Sequence, residues 1–323
     1  MKTRLTEMLG IEHPIMLAGM GGVSYSELVA AVSNAGAYGC MGASTMSSEE
    51  MAGEIARTRT LTSKPFGVDL LTAFPNDMVR NVEIIIEGGA NAFVAGLGVP
   101  RNVVDLCHQN NVLVVSMCGR VEHAKRALDA GCDLVVAQGT EAGGHTGFVA
   151  TFPLVPMIVD AVGDQIPVVA AGGIFDGRGL AAALALGAVG VWVGTRFIAT
   201  PEARGLPGFK ERILESREDG TTISKAFSGK TMRVIKNETS ERYEKDPSLL
   251  SPFPEQLFTS FRDGTFHLGG GEETENVDPL REGYPAGQAV GAIDRLIPAG
   301  EIVASMMREA EAELKRLGTL AGR

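Results

Sequence analysis

Eight short apolar runs lie between Pro14 and Gly194, and each of the first seven gives way to a turn and then to a helical stretch. Runs such as PIMLAGM, FGVDLL and LVVAQ are apolar almost throughout. That pattern suits a parallel sheet covered on both faces, where neither side of a strand meets water. Strands are expected at 14–20, 38–43, 66–71, 92–97, 112–118, 134–138, 167–171 and 190–194. The helices between them are expected at 24–34, 47–60, 77–87, 101–109, 121–130, 152–162 and 177–186. Ser24 reads as an N-cap with Glu27 at the capping-box position. Ser47 reads as a second N-cap, with Glu49 and Glu50 in the first turn where acids suit the helix dipole. Gly36, Gly131, Gly163 and Gly187 read as helix stops.

Eight repeats favour an α/β fold of the TIM-type (β/α)8 barrel. The competitor is a doubly wound open sheet, which carries its glycine fingerprint after the first strand. Here the richest glycine clusters follow the last three strands, where barrel enzymes commonly hold phosphate. The rhythm stops after Pro201. A polar helix over 208–217, strand-like and turn-like pieces over 221–234, and a stretch over 245–285 rich in Pro, Gly and charge fit no βα unit. The expected organisation is a barrel of residues 1–205 plus 286–323, with a small, partly helical appended domain, 206–285, that shapes a substrate pocket. A last amphipathic helix, 302–317, is expected to pack back on the barrel.

The totals narrow the function. A formal net charge of −10 argues against nucleic acid or an anionic membrane as the main partner. No apolar run approaches the roughly 20 residues that span a bilayer, and the opening MKTRLTEMLGIEHP lacks the apolar core of a signal peptide. Cys40, Cys107, Cys118 and Cys132 form no CxxC pair, so metal-ligand spacing is absent. Cys107, Cys118 and Cys132 read as buried thiols, and a reducing cytoplasm is the expected location. The expected partners are a small-molecule substrate, with no nucleic acid and no membrane, and the chain is expected as a monomer or a homodimer.

The chemistry concentrates between Leu134 and Phe197. Gly172 and Gly173 follow the seventh strand, and Gly194 and Thr195 the eighth. Two adjacent loops with free backbone N–H groups and a hydroxyl can hold a phosphate, aided by a short helix N-terminus. The plain alternative is that these glycines only make tight turns. The sixth strand ends in QGTEAGGHTG, which carries His145. An imidazole with an ordinary pKa near 6.5 moves protons at neutral pH, and its glycine-flanked loop at the phosphate end makes His145 the candidate catalytic residue. His13, His108 and His123 read as surface or capping imidazoles, and His267 as a residue that could line the pocket. Glu141 reads as structural, fixing the His145 loop. Trp192 reads as core, and Met16, Met20, Met41 and Met46 as core or as a soft apolar lining.

EAGGHTG, AAGGIFDGRG and GTRF, in this order, resemble the nitronate monooxygenase (2-nitropropane dioxygenase) family. The same trio occurs in flavin-dependent enoyl-acyl-carrier-protein reductases and in a group of NADH:quinone reductases. HPIMLAGMGGVS, AAVSNAGAYG, KPFGVDL and PAGQAVGAI extend the resemblance over roughly residues 5–315. It implies a barrel that binds FMN non-covalently. Ala18, Gly19 and Met20 match the loop along the flavin ring, and Gln138 and Gly139 match positions near the ribityl chain. Gly172, Gly173, Gly194 and Thr195 match the phosphate site. Gln288 matches a position that returns toward the cofactor, and His145 matches the shared active-site histidine. Two positions depart from the pattern. Asp69 stands where many relatives have Asn, and an acid beside a flavin disfavours an anionic reduced ring unless it is protonated or paired. Met117 stands where some relatives have a flavin-facing Lys.

The leading functional expectation is oxidation of alkyl nitronates with O2. The alternative is an NAD(P)H-dependent reductase of enoyl thioesters or quinones. Outside flavin chemistry, a phosphate-ligand-binding barrel or an isomerase remains the competing class.

Overall fold

The computed structural model describes residues 1–71, 77–96 and 98–322. Its strands are β1 (Ile15–Leu17), β2 (Gly39–Gly42), β3 (Phe66–Leu71), β4 (Ala92–Gly96), β5 (Leu113–Cys118) and β6 (Leu134–Gln138). The two-residue β7 (Gly144–His145), β8 (Val168–Ala171) and β9 (Val191–Val193) follow. All but β7 form one parallel sheet in the order β1-β9-β8-β6-β5-β4-β3-β2. A parallel bridge between Met16 and Tyr38 joins its two ends, and the Leu17 N–H donates to the Tyr38 carbonyl at 2.8 Å. The sheet is therefore a (β/α)8 barrel. The expected strand end at Leu97 lies outside the described residues.

Strand parity divides the core in two. Met16, Tyr38, Cys40, Val94, Val115, Val136, Val169 and Trp192 point inward and fill the barrel. Ile15, Leu17, Val68, Phe93, Val114, Val135, Val168 and Val191 point outward and meet the helices. Trp192 is 6% exposed, as expected of a core residue. Met41 faces the helix layer, so it cannot join a soft lining of the mouth. The first helix, α1 (Arg4–Leu9), sends Leu5 and Leu9 into the interior cluster and plugs the bottom of the barrel.

The covering helices are α2 (Ser26–Asn34), α3 (Ser48–Leu61), α4 (Met78–Glu87), α5 (Arg101–Gln109), α6 (Val121–Ala130), α7 (Thr151–Val162) and α8 (Gly177–Ala185). One local expectation fails. Ser24 does not cap α2: its hydroxyl folds back to the Met20 N–H at 2.7 Å. The carboxylate of Glu54 accepts the Ser26 N–H instead. Gly163 ends α7 as expected, though at φ −62°, which any residue adopts. Ser47 does cap α3, accepting the Glu50 N–H at 3.1 Å. Gly36, Gly131 and Gly187 adopt the positive φ that favours glycine after a helix.

Beyond β9 come a one-turn α9 (Thr195–Ile198), α10 (Phe209–Glu215), β10 (Thr221–Ser224), β11 (Met232–Ile235), α11 (Glu238–Lys245) and α12 (Glu255–Arg262). The last helix, α13 (Ala299–Leu320), packs against α8 and α2. A Cβ at Gly177 would lie 2.3 Å from the Met306 carbonyl oxygen, so the absence of a side chain there sets this close approach. β10, β11 and β7 form a small antiparallel sheet. Met232 pairs with His145 and Arg233 with Gly144, so the segment after the barrel fastens the histidine loop in register.

Candidate active site

The site is built at the C-terminal mouth of the barrel. Ala18, Gly19 and Met20 follow β1, and a Cβ on Gly19 would fall 2.2 Å from the Asp69 Cβ. Phe66, Val68 and Leu70 point outward, so the alternation of β3 turns Asp69 inward. Its carboxyl keeps some access to the mouth, yet the surrounding protein pushes its pKa up to about 8. Among the described residues no cation or hydrogen-bond donor offsets this. Burial therefore favours the neutral carboxyl, which eases the charge conflict raised by the sequence. Met117 also packs against the interior cluster and places no cation there.

The glycine loops meet where the sequence placed them. Gly172 and Gly173 have φ of +104° and +72°, the left-handed region where a side chain is strained. A Cβ on Gly172 would lie 2.6 Å from Thr151 Oγ1. The Glu141 carboxylate accepts the Thr151 N–H at 2.9 Å and lies 2.8 Å from the Thr151 hydroxyl, the structural role expected of it. The segment PAGQ closes the assembly: the Gly287 N–H donates to Thr195 Oγ1 at 2.9 Å, and the Gln288 N–H to the Glu141 carbonyl at 2.9 Å. A Cβ on Gly194 would lie 3.4 Å from Met20 Sδ and 3.5 Å from Ala18 Cβ, so the phosphate loops abut the β1 loop. Gly139, after β6, packs on Thr151 so tightly that a Cβ would stand 2.1 Å from its Oγ1. A cavity of about 480 Å³ borders Glu141, Gly172, Gly173 and Gln288; it does not reach His145 or Asp69. That cavity is lined mostly by apolar side chains and takes in neither Gly194 nor Thr195; what fits a phosphate group is the backbone of the side-chain-free Gly172, Gly173 and Gly194.

His145 sits on β7. Gln138 Nε2 donates to its carbonyl at 2.9 Å, and its own Nε2 lies 3.1 Å from Ser228 Oγ. Ser228 Oγ accepts the Lys230 N–H at 3.3 Å. The imidazole stays reachable from the mouth, but crowding by protein atoms, followed by the charge of Lys230, lowers its pKa. Both effects favour the neutral ring. Its Nδ1 has no partner among the described residues. Lys230 Nζ stands 4.0 Å over the Phe253 ring.

Sequence reasoning missed Ser228 and Lys230, which lie in the turn between β10 and β11. Their local signal was only FSGK inside a strand-and-turn stretch. The other histidines stand elsewhere. His13 precedes β1 at the closed end, and His108 Nε2 pairs with Asp133 at 2.9 Å. His267 Nδ1 is 2.7 Å from the fully buried Glu282 carboxylate, within the added segment. All four cysteines are free and buried. Among the described residues, no three His, Cys, Asp or Glu cluster as a metal would need, and no helix is long and apolar enough to cross a membrane.

The chain is similar to several known proteins. A "(3aS,4S,5R,7aS)-5-hydroxy-7a-methyl-1-oxo-octahydro-1H-indene-4-carboxyl-CoA dehydrogenase" of Mycobacterium tuberculosis is 40% identical over 245 residues, 76% of this chain and 69% of that protein. A probable nitronate monooxygenase of Staphylococcus aureus is 34% identical, covering 84% of this chain and 90% of that one. The structure of FabK from Thermotoga maritima superposes with a TM-score of 0.87 at 33% identity, over 99% of both chains. The nitronate monooxygenase family profile matches residues 2–78 and 71–309. The chain is an oxidoreductase that belongs to the nitronate monooxygenase family.

Proposed function

We propose that the chain is an FMN-dependent oxidoreductase that oxidises alkyl nitronates with O2. Gly172, Gly173, Gly194 and Thr195 would hold the phosphate, and Gln138, Gly139 and Gln288 the linking chain. Ala18, Gly19, Met20 and Asp69 would lie along the ring. When bound, FMN would supply the redox chemistry between the substrate and O2. The protein does the rest. Neutral Asp69 leaves the mouth free of a carboxylate charge at the ring. His145 Nδ1 accepts a proton from the carbon next to a nitro group, or hydrogen-bonds the nitronate once protonated. Ser228 holds the far nitrogen so that Nδ1 keeps its aim.

The observation that carries this reading is the setting of His145: fastened to β11, anchored through Nε2 to Ser228, and unpartnered at Nδ1 among the described residues. Colour and bleaching test it. The purified protein should be yellow, and anaerobic propionate 3-nitronate should bleach it. A colourless protein that takes up no FMN rejects the flavin reading in favour of a phosphate-ligand barrel or isomerase.

A second reading draws on the CoA dehydrogenase and FabK likenesses. In it NAD(P)H is the reductant, an enoyl thioester or quinone is reduced, and His145 positions or protonates the product. Rapid anaerobic bleaching by NADH or NADPH alone would decide for this reading and against a pure nitronate oxidase.

A further inference from the structure

A buried arginine holds the neck of the loop that carries His145. Thr140 and Val149 close that loop, the Thr140 N–H donating to the Val149 carbonyl at 2.8 Å. Beside the neck, the Thr146 hydroxyl donates to the Gly139 carbonyl at 3.1 Å. Arg233, on β11, grips the neck directly: its Nε donates to the Thr140 carbonyl at 2.8 Å. Its Nη1 donates to Thr221 Oγ1 on β10 at 3.1 Å, and its backbone pairs with Gly144. Arg233 is 6% exposed. Among the described residues no carboxylate lies within ion-pair distance of it. A buried charge is costly unless it is paired and hydrogen-bonded. Burial pushes the guanidinium pKa down, and the charge of Glu141, the next residue in the loop, opposes that. What the guanidinium gains is two charge-assisted bonds from a rigid planar fork, which an apolar chain or an ammonium does not reproduce.

We propose that Arg233 is a positioning residue, whose fork holds the His145 loop in register with the phosphate loops and so fixes where the imidazole stands. The contacts run both ways along the loop. One position past Thr140, Glu141 holds Thr151, whose hydroxyl lies 3.0 Å from the Gly172 carbonyl oxygen. One position past Gly144 stands His145, paired with Met232, the residue before Arg233. The arginine side chain touches neither end itself and carries position to both. Its work differs from that of Ser228, which meets the imidazole directly. This deepens the proposed function and rests on its assignment of His145 as proton acceptor, while the identity of the substrate plays no part in it.

The test reads the imidazole itself before it reads turnover. The FMN-loaded protein is labelled with ring-15N histidine and its imidazole signals are recorded by NMR in the wild type, Arg233→Met and Thr221→Val, with His145→Gln to assign the His145 signals. In Arg233→Met the His145 signals are expected to move or broaden, while those of His13, His108 and His123, on other parts of the barrel, stay in place. With nitroethane as substrate, kcat should fall about tenfold or more with KM within about twofold, the mark of a displaced acceptor rather than of lost binding. Thr221→Val deletes one hydroxyl from the clamp and serves if Arg233→Met fails to fold; the same signals should move, with a loss of about threefold in kcat. Unmoved His145 signals in the folded variants overturn the proposal, as do shifts shared by the barrel histidines, which mean general loosening. If the His145 signals move alone in a protein that oxidises neither nitroethane nor propionate 3-nitronate, this inference stands and the nitronate reading falls.

Discussion

Ser228 Oγ lies 3.1 Å from His145 Nε2, although the two residues are separated by 83 positions in the chain. That bond, with the pairing of Met232 to His145, fixes the ring from the side away from the barrel strands. Ser228→Ala removes the partner of Nε2 while leaving the phosphate loops untouched. The expected outcome is a drop of about 3- to 10-fold in kcat, the worth of one ordinary hydrogen bond, with FMN content unchanged. Steady-state kinetics beside the flavin absorbance checks it. Unchanged kcat would mean that the ring is aimed by the backbone pairing alone.

His145 has a pKa lowered by burial first and by Lys230 second. A base must be unprotonated to act, so turnover of a nitroalkane should fall as pH drops through a value below 6.5 and stay level above it. Lys230→Met removes the nearby positive charge and should move that acidic limb upward. His145→Ala should keep FMN and lose about 10²–10⁴ in rate. A pH–rate profile on wild type and both variants reads all three. Full activity in His145→Ala removes the residue from the mechanism.

Gly172 combines a φ of +104° with a would-be Cβ 2.6 Å from Thr151 Oγ1. Alanine there meets both backbone strain and a clash with a hydroxyl that is itself held by Glu141. Gly172→Ala should lower stability by about 1–3 kcal/mol and weaken retention of FMN on a desalting column. By contrast, Gly53 has open space around it and lies in an outer helix, so Gly53→Ala should leave both properties intact.

The barrel was readable because its signals are local. Apolar runs such as Leu134–Gln138 and Phe66–Leu71 match their strands at both ends, and Gly139 after the first marks a close approach of backbone to Thr151. What the sequence hid depends on distant pairing. The strand carrying His145 is two residues long and exists only because Met232 and Arg233 run beside it; no periodicity can show that. Ser228 and Lys230 were missed for the same reason. Ser24 misled in the other direction. It has the right residue type for a cap, but the Met20 N–H lies nearer and takes its hydroxyl, a competition between local backbone donors that composition does not resolve. Helix α12 sits in a stretch whose Pro and Gly content masked it, and α11 is a polar run with too few apolar residues to show a helical period.

Asp69 was legible as an inward-facing acid, and only its surroundings settle its charge. The carboxyl pKa is about 8 in the folded protein and 3.8 without the fold, and burial alone causes the rise. The sign follows from proton counting. Between pH 3.8 and 8 the folded state holds a proton that the unfolded chain has released, so this group's contribution to stability declines as pH rises across that window and levels off above about 8. Asp69→Asn keeps the shape and removes the ionisation. The variant should therefore gain stability relative to wild type as pH increases, reaching about 1–3 kcal/mol at pH 8–9, and the gain should shrink toward pH 4. Thermal melts across that range measure it. The FMN-loaded protein offers a second readout. Ionisation of Asp69 above pH 8 would put a negative charge in the mouth and disfavour an anionic reduced ring, so the wild-type reduction potential should bend downward near pH 8 relative to Asp69→Asn. If both proteins melt and reduce in parallel from pH 5 to 9, then the carboxyl is already ionised at neutral pH, and some group in the mouth must neutralise it.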